Sequence, residues 1–206
     1  MFRVVTVARE FASGGASIAG LLAARLEWKL LDRALLEEVA RCAHVDPGLA
    51  ERFDECVDPW FHRLTKQALW HGSIEAVPAV TDDDFFDSEA MARFACQVIR
   101  EAANAGGCVV VGRGAQCILR DRDDVFHVFV YGPWQQRLER VRRRFPELRD
   151  PAAYIQEMDR KRAGYIRQYF QQEWCHRGLY DLLVNSRCGE AAAAQAILCA
   201  AGLAPA

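Results

Sequence analysis

The sequence predicts a three-layer α/β/α domain built on a parallel sheet of about five strands, and three observations carry that expectation. Apolar, partly β-branched runs recur at Arg3 to Ala8, Trp28 to Leu31, Cys108 to Val111, Val125 to Tyr131 and Tyr180 to Val184. Stretches of helical periodicity separate each run from the next. Strands this continuously apolar must be covered on both faces, which is the condition of a parallel sheet rather than of a half-solvated antiparallel one. The 206 residues, 51% hydrophobic and 26% charged, suffice for one domain to bury a full core without crosslinks.

Taken in order, Arg3 to Ala8 (RVVTVA) is too short for a buried helix and reads as the first strand. Phe11 to Ala16 supplies a Gly-rich turn, and Ile18, Leu21, Leu22 and Leu26 then fall at helical spacing, so the chain opens as strand, turn, helix. Between Asp32 and Gly107 no strand is convincing. Leu35, Leu36 and Val39 suggest one helix, Phe53 to Trp70 contains helical pieces, and Met91, Ala95, Val98, Ile99 and Ala102 mark another. This predicts a helical insertion over about 33–106 within a single domain spanning 1–206. Val77 to Asp87, with a proline and an acidic run, reads as an exposed loop inside it. Its Asp83-Asp84-Phe85-Phe86-Asp87 spells D-D-x-x-D, a magnesium-diphosphate motif, but it stands alone in a β-rich pattern, and solvated aspartates are the better account.

Lys+Arg 26 against Asp+Glu 28 leaves a formal charge of -2, which argues against a global nucleic-acid binder. The charge is uneven, however: 137–177 holds 11 basic and 6 acidic residues. Leu138, Val141 and Phe145 share one helical face there, while Arg137, Arg140 and Arg144 share another, so one face packs and the other is basic. Farther on, Arg160 and Arg167 share a side, whereas Arg162 falls nearer the stripe of Met158, Tyr165 and Tyr169. The eight cysteines form no C-x-x-C pair, and Cys108, Cys117 and Cys199 lie in apolar runs, so all are expected to be reduced, with these three in the core. The histidines lack metal-ligand spacing. The start of the chain carries no signal-peptide pattern and no apolar stretch reaches membrane-spanning length, so a cytoplasmic protein without a membrane partner is expected. The five tryptophans are expected to pack in the core or at an interface, and a homodimer is left open.

Two segments carry candidate chemistry. Ala8-Arg9-Glu10-Phe11-Ala12-Ser13-Gly14-Gly15-Ala16-Ser17 turns from strand to helix, where N–H groups and the helix dipole together suit an anion, most naturally a phosphate. A P-loop, G-x-x-x-x-G-K-[ST], would place a glycine near Ala8 and the lysine at Gly15, and neither is present, although Ser17 keeps a hydroxyl where the magnesium-binding one belongs. A tight strand-to-helix connection is the plainer reading of the same residues. In the second segment, Val109-Val110-Val111-Gly112-Arg113-Gly114, a strand ends in an arginine between two glycines. Strand carboxyl ends line the ligand crevice of such sheets, and the arginine fork suits phosphate, while a surface arginine in a turn is the plainer alternative.

Together VTVAREFASGGASIAGLLAARL, LLDRALLEEVA, VVVGRGAQCILRD, VFHVFVYGPWQQRLERV, the Arg-rich helix and YDLLVNS resemble the cytidylate-kinase-like branch of the nucleoside monophosphate kinases, in order, over about Arg3 to Leu198. The resemblance implies a P-loop kinase fold and ATP with Mg2+ as cofactors. It implies that Ser13, Gly14, Gly15, Ala16 and Ser17 hold donor phosphates, with Ser17 on the metal. Asp32, Arg33 and Arg113 would face the acceptor, a nucleoside monophosphate of CMP type or another small phosphate acceptor. Arg137, Arg160, Arg162 and Arg167 would belong to a lid over about 137–177, and the insertion would be the acceptor-binding domain. Phosphoryl transfer rests on positioning and cationic clamping, which agrees with the charge asymmetry. The chain departs from that branch at Gly15, where the lysine should be, and at Val111, where a metal-orienting acid is expected. Losing both would remove several kcal/mol of transition-state stabilisation. Two functions therefore stand: a nucleotide-dependent kinase, with Arg9, Lys161 or Glu10 compensating, or a non-catalytic nucleotide-binding protein of the same fold.

Overall fold

The computed structural model describes residues 1–32, 35, 36 and 89–204. The expected Phe53–Trp70 helices, the Val77–Asp87 loop with its acidic run, Arg33, and Cys42 and Cys56 lie outside them. The chain divides into two compact units, Met1–Leu30 with Gly106–Ala206, and Leu31–Ala105.

In the first unit β1 (Val4–Arg9) leads into α1 (Gly15–Leu26), and β2 (Lys29–Leu31) begins at its end. After the second unit come β3 (Cys108–Val111), a one-turn helix, Ala115–Ile118, and β4 (Val125–Tyr131). The second unit itself contains α2 (Glu89–Ala105), which buries Ala92, Ala95, Val98, Ile99, Ala102 and Ala103 at the spacing read from the sequence. Then follow α3 (Trp134–Arg144), α4 (Pro151–Phe170), β5 (Leu182–Asn185) and α5 (Glu190–Ala200). The strands form one five-stranded sheet in the order β2-β3-β1-β4-β5, with β1 parallel to both neighbours and β4 parallel to β5. The predicted parallel α/β architecture is the observed one.

Alternation along the central strands decides what covers each face. Val5, Val7, Val109, Val111, Phe126, Val128 and Val130 point to α1 and α5, meeting Ile18, Leu22, Ala194, Ile197 and Leu198 in one buried cluster. Ala8 and Phe129 point the other way, onto Cys117, Ile166, Trp174, Leu179 and Tyr180. Truncating Ile18 or Leu22 to alanine removes fully buried methyl groups, each change costing about 2–5 kcal/mol. A third cluster joins α3 to α4 through Leu138, Val141 and Ile155, and Phe11 and Ala12 of the turn after β1 rest on it. The turn is therefore seated on the helices that carry the arginines.

Three expectations shift. The last strand begins at Leu182, not Tyr180, because a short 3-10 turn at Arg177–Leu179 brings Tyr180 onto Phe129 and its hydroxyl donates to Trp174 O at 2.6 Å. Trp28 precedes β2 and packs against the α1-side cluster instead of pairing. Cys199 is exposed rather than in the core, since α5 turns Ile197 and Leu198 inward and leaves position 199 on its outer side. Cys108 and Cys117 are buried as expected. Burial pushes their thiols up to about 12 and about 11, so they stay protonated and inert.

Candidate phosphate-binding site

The turn Glu10–Gly14 is the centre of the site, and its shape follows from where its backbone groups go. Glu10 N continues the ladder to Val130 O, Ser13 N closes onto Glu10 O, and Ser13 Oγ donates to the same carbonyl at 2.9 Å. Ser13 is thus buried and shapes the turn with its side chain. Gly14 then takes φ +86°, a conformation glycine adopts without steric cost, and caps α1 with no side-chain bond. The first bond of the α1 ladder runs from Ile18 N to Gly14 O, so the N–H groups of Gly15, Ala16 and Ser17 precede the helical ladder and carry the positive end of its dipole.

The carbonyls of the turn are held by arginines. Arg162 Nη1 donates to Arg9 O at 3.1 Å, Arg137 Nε to Phe11 O at 2.8 Å, and Arg140 Nη1 to Ala12 O at 3.1 Å. Three guanidinium groups from α3 and α4 therefore hold the carbonyls of Arg9, Phe11 and Ala12, while Ser13 takes that of Glu10. The cationic groups in turn need counter-charges. Arg137, whose side chain is only 6% exposed, pairs with Glu10 Oε2 at 3.0 Å and with Asp159. Asp159 Oδ1 accepts from Phe11 N at 2.7 Å and lies 3.5 Å from Arg162. Glu10 Oε2 also accepts from Gly132 N at 3.0 Å, tying the turn to the start of α3. Burial pulls the Arg162 guanidinium below its usual range, with Asp159 opposing and Arg137 adding to the shift. Its cation stacks on Phe11, 5.2 Å from the ring centre.

This arrangement walls a cleft of about 440 Å3, lined by the turn and the first residues of α1 together with Arg9, Arg140, Arg144, Arg162 and Glu190. The volume is of the size that takes a small ligand. Glu190, in the first turn of α5, reaches across the mouth: it lies 3.5 Å from Arg140, and a Cβ on Gly14 would stand 2.8 Å from its Oε1. Ser17 is exposed on the first turn of α1. Among the described residues no group of three or more His, Cys, Asp or Glu side chains could hold a metal ion. A magnesium ion that keeps its waters and bridges substrate phosphates needs only one or two protein ligands, so Ser17 and a carboxylate such as Glu190 fit that use.

Of the expected site residues, the structure brings together Ser13 to Ser17, Arg137 and Arg162. Arg137 is fully engaged in building the turn. Arg160 stands 73% exposed on α4, paired with Glu157 at 2.6 Å, and Arg167 is exposed farther along the same helix. Neither lines the cleft. Arg113 follows β3 in a run of three left-handed residues, with φ of 74°, 52° and 73° at Gly112, Arg113 and Gly114. A non-glycine residue there costs on the order of 1 kcal/mol, the kind of strain that functional turns retain. Asp32, in the second unit, accepts from Leu35 N at 3.0 Å and so caps the start of a helix. Asp159, Arg140 and Glu190 were not singled out as site residues from sequence. Arg140 shares the Arg137 stripe and was within reach of that signal. Asp159 and Glu190 had none, since their partners lie 148 residues away at Phe11 and 50 away at Arg140.

Comparisons with known proteins agree with this geometry. A protein from Eubacterium ventriosum matches over 97% of this chain and 98% of its own, with a TM-score of 0.67 at 22% identity. The shikimate kinase of Acinetobacter baumannii, solved with shikimate, matches over 96% and 92% with 0.51 at 16% identity. A gluconokinase from Sinorhizobium meliloti matches over 97% and 91% with 0.51 at 11% identity. At these identities the likeness establishes the fold, which the chain shares with small-molecule kinases. Functionally curated proteins give no significant match. The family model of the cytidylate kinase-like family matches residues 4–187, which include the turn Glu10–Gly14, the turn after β3 and both arginine helices, and the chain belongs to that family.

Proposed function

We propose that the protein is a nucleotide-dependent phosphotransferase that moves the terminal phosphoryl of ATP, with Mg2+, to a nucleoside monophosphate of CMP type or another small phosphate-bearing acceptor. The observation that carries this reading is the arginine-held turn: its carbonyls are engaged by Arg162, Arg137 and Arg140, while the N–H groups at the start of α1 face the cleft-forming side with a cationic wall. An acceptor phosphate oxygen attacks the γ-phosphorus, the bond from that phosphorus to the β,γ-bridging oxygen breaks, and its electron pair leaves with the nucleoside diphosphate. Mg2+, held through phosphates, Ser17 and a carboxylate, would neutralise charge on the donor. In this reading Arg113 meets the acceptor, Asp32 and Arg33 belong to the acceptor side in the second unit, and Arg160 and Arg167 act only when 137–177 closes as a lid.

The direct test is 31P NMR of the protein with ATP, Mg2+ and each nucleoside monophosphate in turn. Conversion of one acceptor to its diphosphate, with ADP appearing in equal amount, supports the kinase. A second reading, a nucleotide-binding protein without turnover, is favoured by Gly15 in place of the lysine and Val111 in place of the acid. It predicts saturable ATP binding with no product from any acceptor.

A further inference from the structure

Resting on the phosphate-transfer reading, we propose that Arg9 supplies the cation that a P-loop lysine ordinarily supplies, and that position 15 is glycine because the Arg9 side chain occupies the space a lysine there would need. Arg9 is the last residue of β1, its backbone fixed opposite Val130 and its carbonyl held by Arg162. From that anchor the side chain crosses the start of α1: a Cβ on Gly15 would lie 2.5 Å from Arg9 Cβ and 2.9 Å from its Cγ, closer than real Cβ atoms come. The guanidinium ends on Gly112, where a Cβ would overlap Nη1 and stand 3.1 Å from Cζ. Two glycines thus frame one arginine, with its stem on the first residue of the phosphate helix and its head on the turn that carries Arg113.

The placement has chemical consequences. Arg9 lines the same cleft as the turn and Ser17, with its stem beside Gly15 at the start of α1. Its head lies beside the Gly112–Arg113–Gly114 turn assigned to the acceptor. A cation spanning those two positions can bind the terminal phosphoryl group from the side on which it is transferred. A guanidinium stays protonated at every relevant pH and offers two parallel donors to phosphate oxygens, where a lysine offers a mobile point charge. Glycine at 15 leaves room for the Cβ and Cγ of Arg9, so in this proposal the departure from the P-loop pattern is an exchange of one cation for another.

Calorimetric titration with MgATP tests this on the full-length protein. Wild type binds, and Arg9→Met weakens MgATP by about 10- to 100-fold, as loss of a charge-assisted contact implies. AMP, without the terminal phosphates, changes by less than about threefold on the same grounds. Arg9→Gly/Gly15→Lys then recovers at least about tenfold over Arg9→Gly/Gly15→Met, two variants with the same relieved packing, since glycine at 9 removes the Cβ that a side chain at 15 would meet, and with different charge. The second comparison decides the matter even if Arg9→Met fails to fold. Equal MgATP affinities within that pair overturn the role of Arg9 while leaving the nucleotide reading intact. Absence of MgATP binding by wild type overturns both.

Discussion

Removing Asp159 tests whether the ionic lattice around the turn shapes it. This carboxylate accepts from Phe11 N at 2.7 Å, pairs with the nearly buried Arg137, and lies 3.5 Å from Arg162. Asp159→Ala would leave an N–H without its acceptor, about 1–3 kcal/mol. Stripping a buried guanidinium of its only partner costs about 3–5 kcal/mol. Arg137 keeps Glu10, and Asp159 is itself about a fifth exposed, so the ionic part should fall well below that range. A total of about 2–4 kcal/mol follows. At roughly 2–4 °C per kcal/mol for a chain of this length, Tm should fall by roughly 4–16 °C. Urea unfolding followed by circular dichroism measures the free energy directly. Asp159→Asn, which retains an acceptor for Phe11 N but not the charge, should cost about half as much. A double-mutant cycle with Arg137→Met should show coupling of at least about 1 kcal/mol. An Asp159→Ala loss below about 0.5 kcal/mol, typical of surface changes, would refute the reasoning.

Further outcomes follow from the same geometry. Gly14→Val places a branched side chain at φ +86° and against Glu190, so MgATP affinity should fall at least about tenfold in calorimetry with the sheet retained. His127 faces Thr6 across the sheet, its Nδ1 2.7 Å from the hydroxyl, and burial pulls its pKa below 6.5 despite Asp181. The unfolded chain therefore binds the proton first. Stability present above about pH 6.5 should decline as pH falls toward the depressed folded value, and His127→Asn should flatten that slope in unfolding measured between pH 7 and 5. Arg113→Met should raise the acceptor KM with little change in kcat, and Arg160→Met should lower kcat, each by an amount equivalent to about 2–4 kcal/mol in steady-state kinetics. Unchanged parameters in both would assign these arginines to the solvated surface.

What could be read from sequence was whatever depends on local periodicity. The bounds of β3 and β4 coincide with the apolar runs Cys108 to Val111 and Val125 to Tyr131, because β3 is buried throughout and β4 as far as Val130, so apolar residues reach the ends of both strands. Edge elements were less legible: Trp28 and Tyr180 are apolar enough to extend a strand yet are spent on packing outside it. The turn after β1 is legible through its glycines, and the Arg137, Arg140, Arg144 stripe through helical spacing. The role of Arg137 and Arg140 is not legible there, because each donates to a main-chain carbonyl more than 120 residues away, and a carbonyl has no sequence signature. Likewise the sequence shows Gly15 only as a departure from a motif, and the Arg9 stem that lies against it is a feature of the folded chain.

The central claim, that this arginine-held turn receives the polyphosphate of a nucleotide, is tested most directly by calorimetric titration of the wild-type protein with AMP, MgADP and MgATP under one buffer. The account predicts a single site whose affinity rises with each added phosphate, from AMP through MgADP to MgATP, as more oxygens meet the N–H groups of α1 and the surrounding guanidinium groups. Equal affinity for all three, or binding of none, would contradict it.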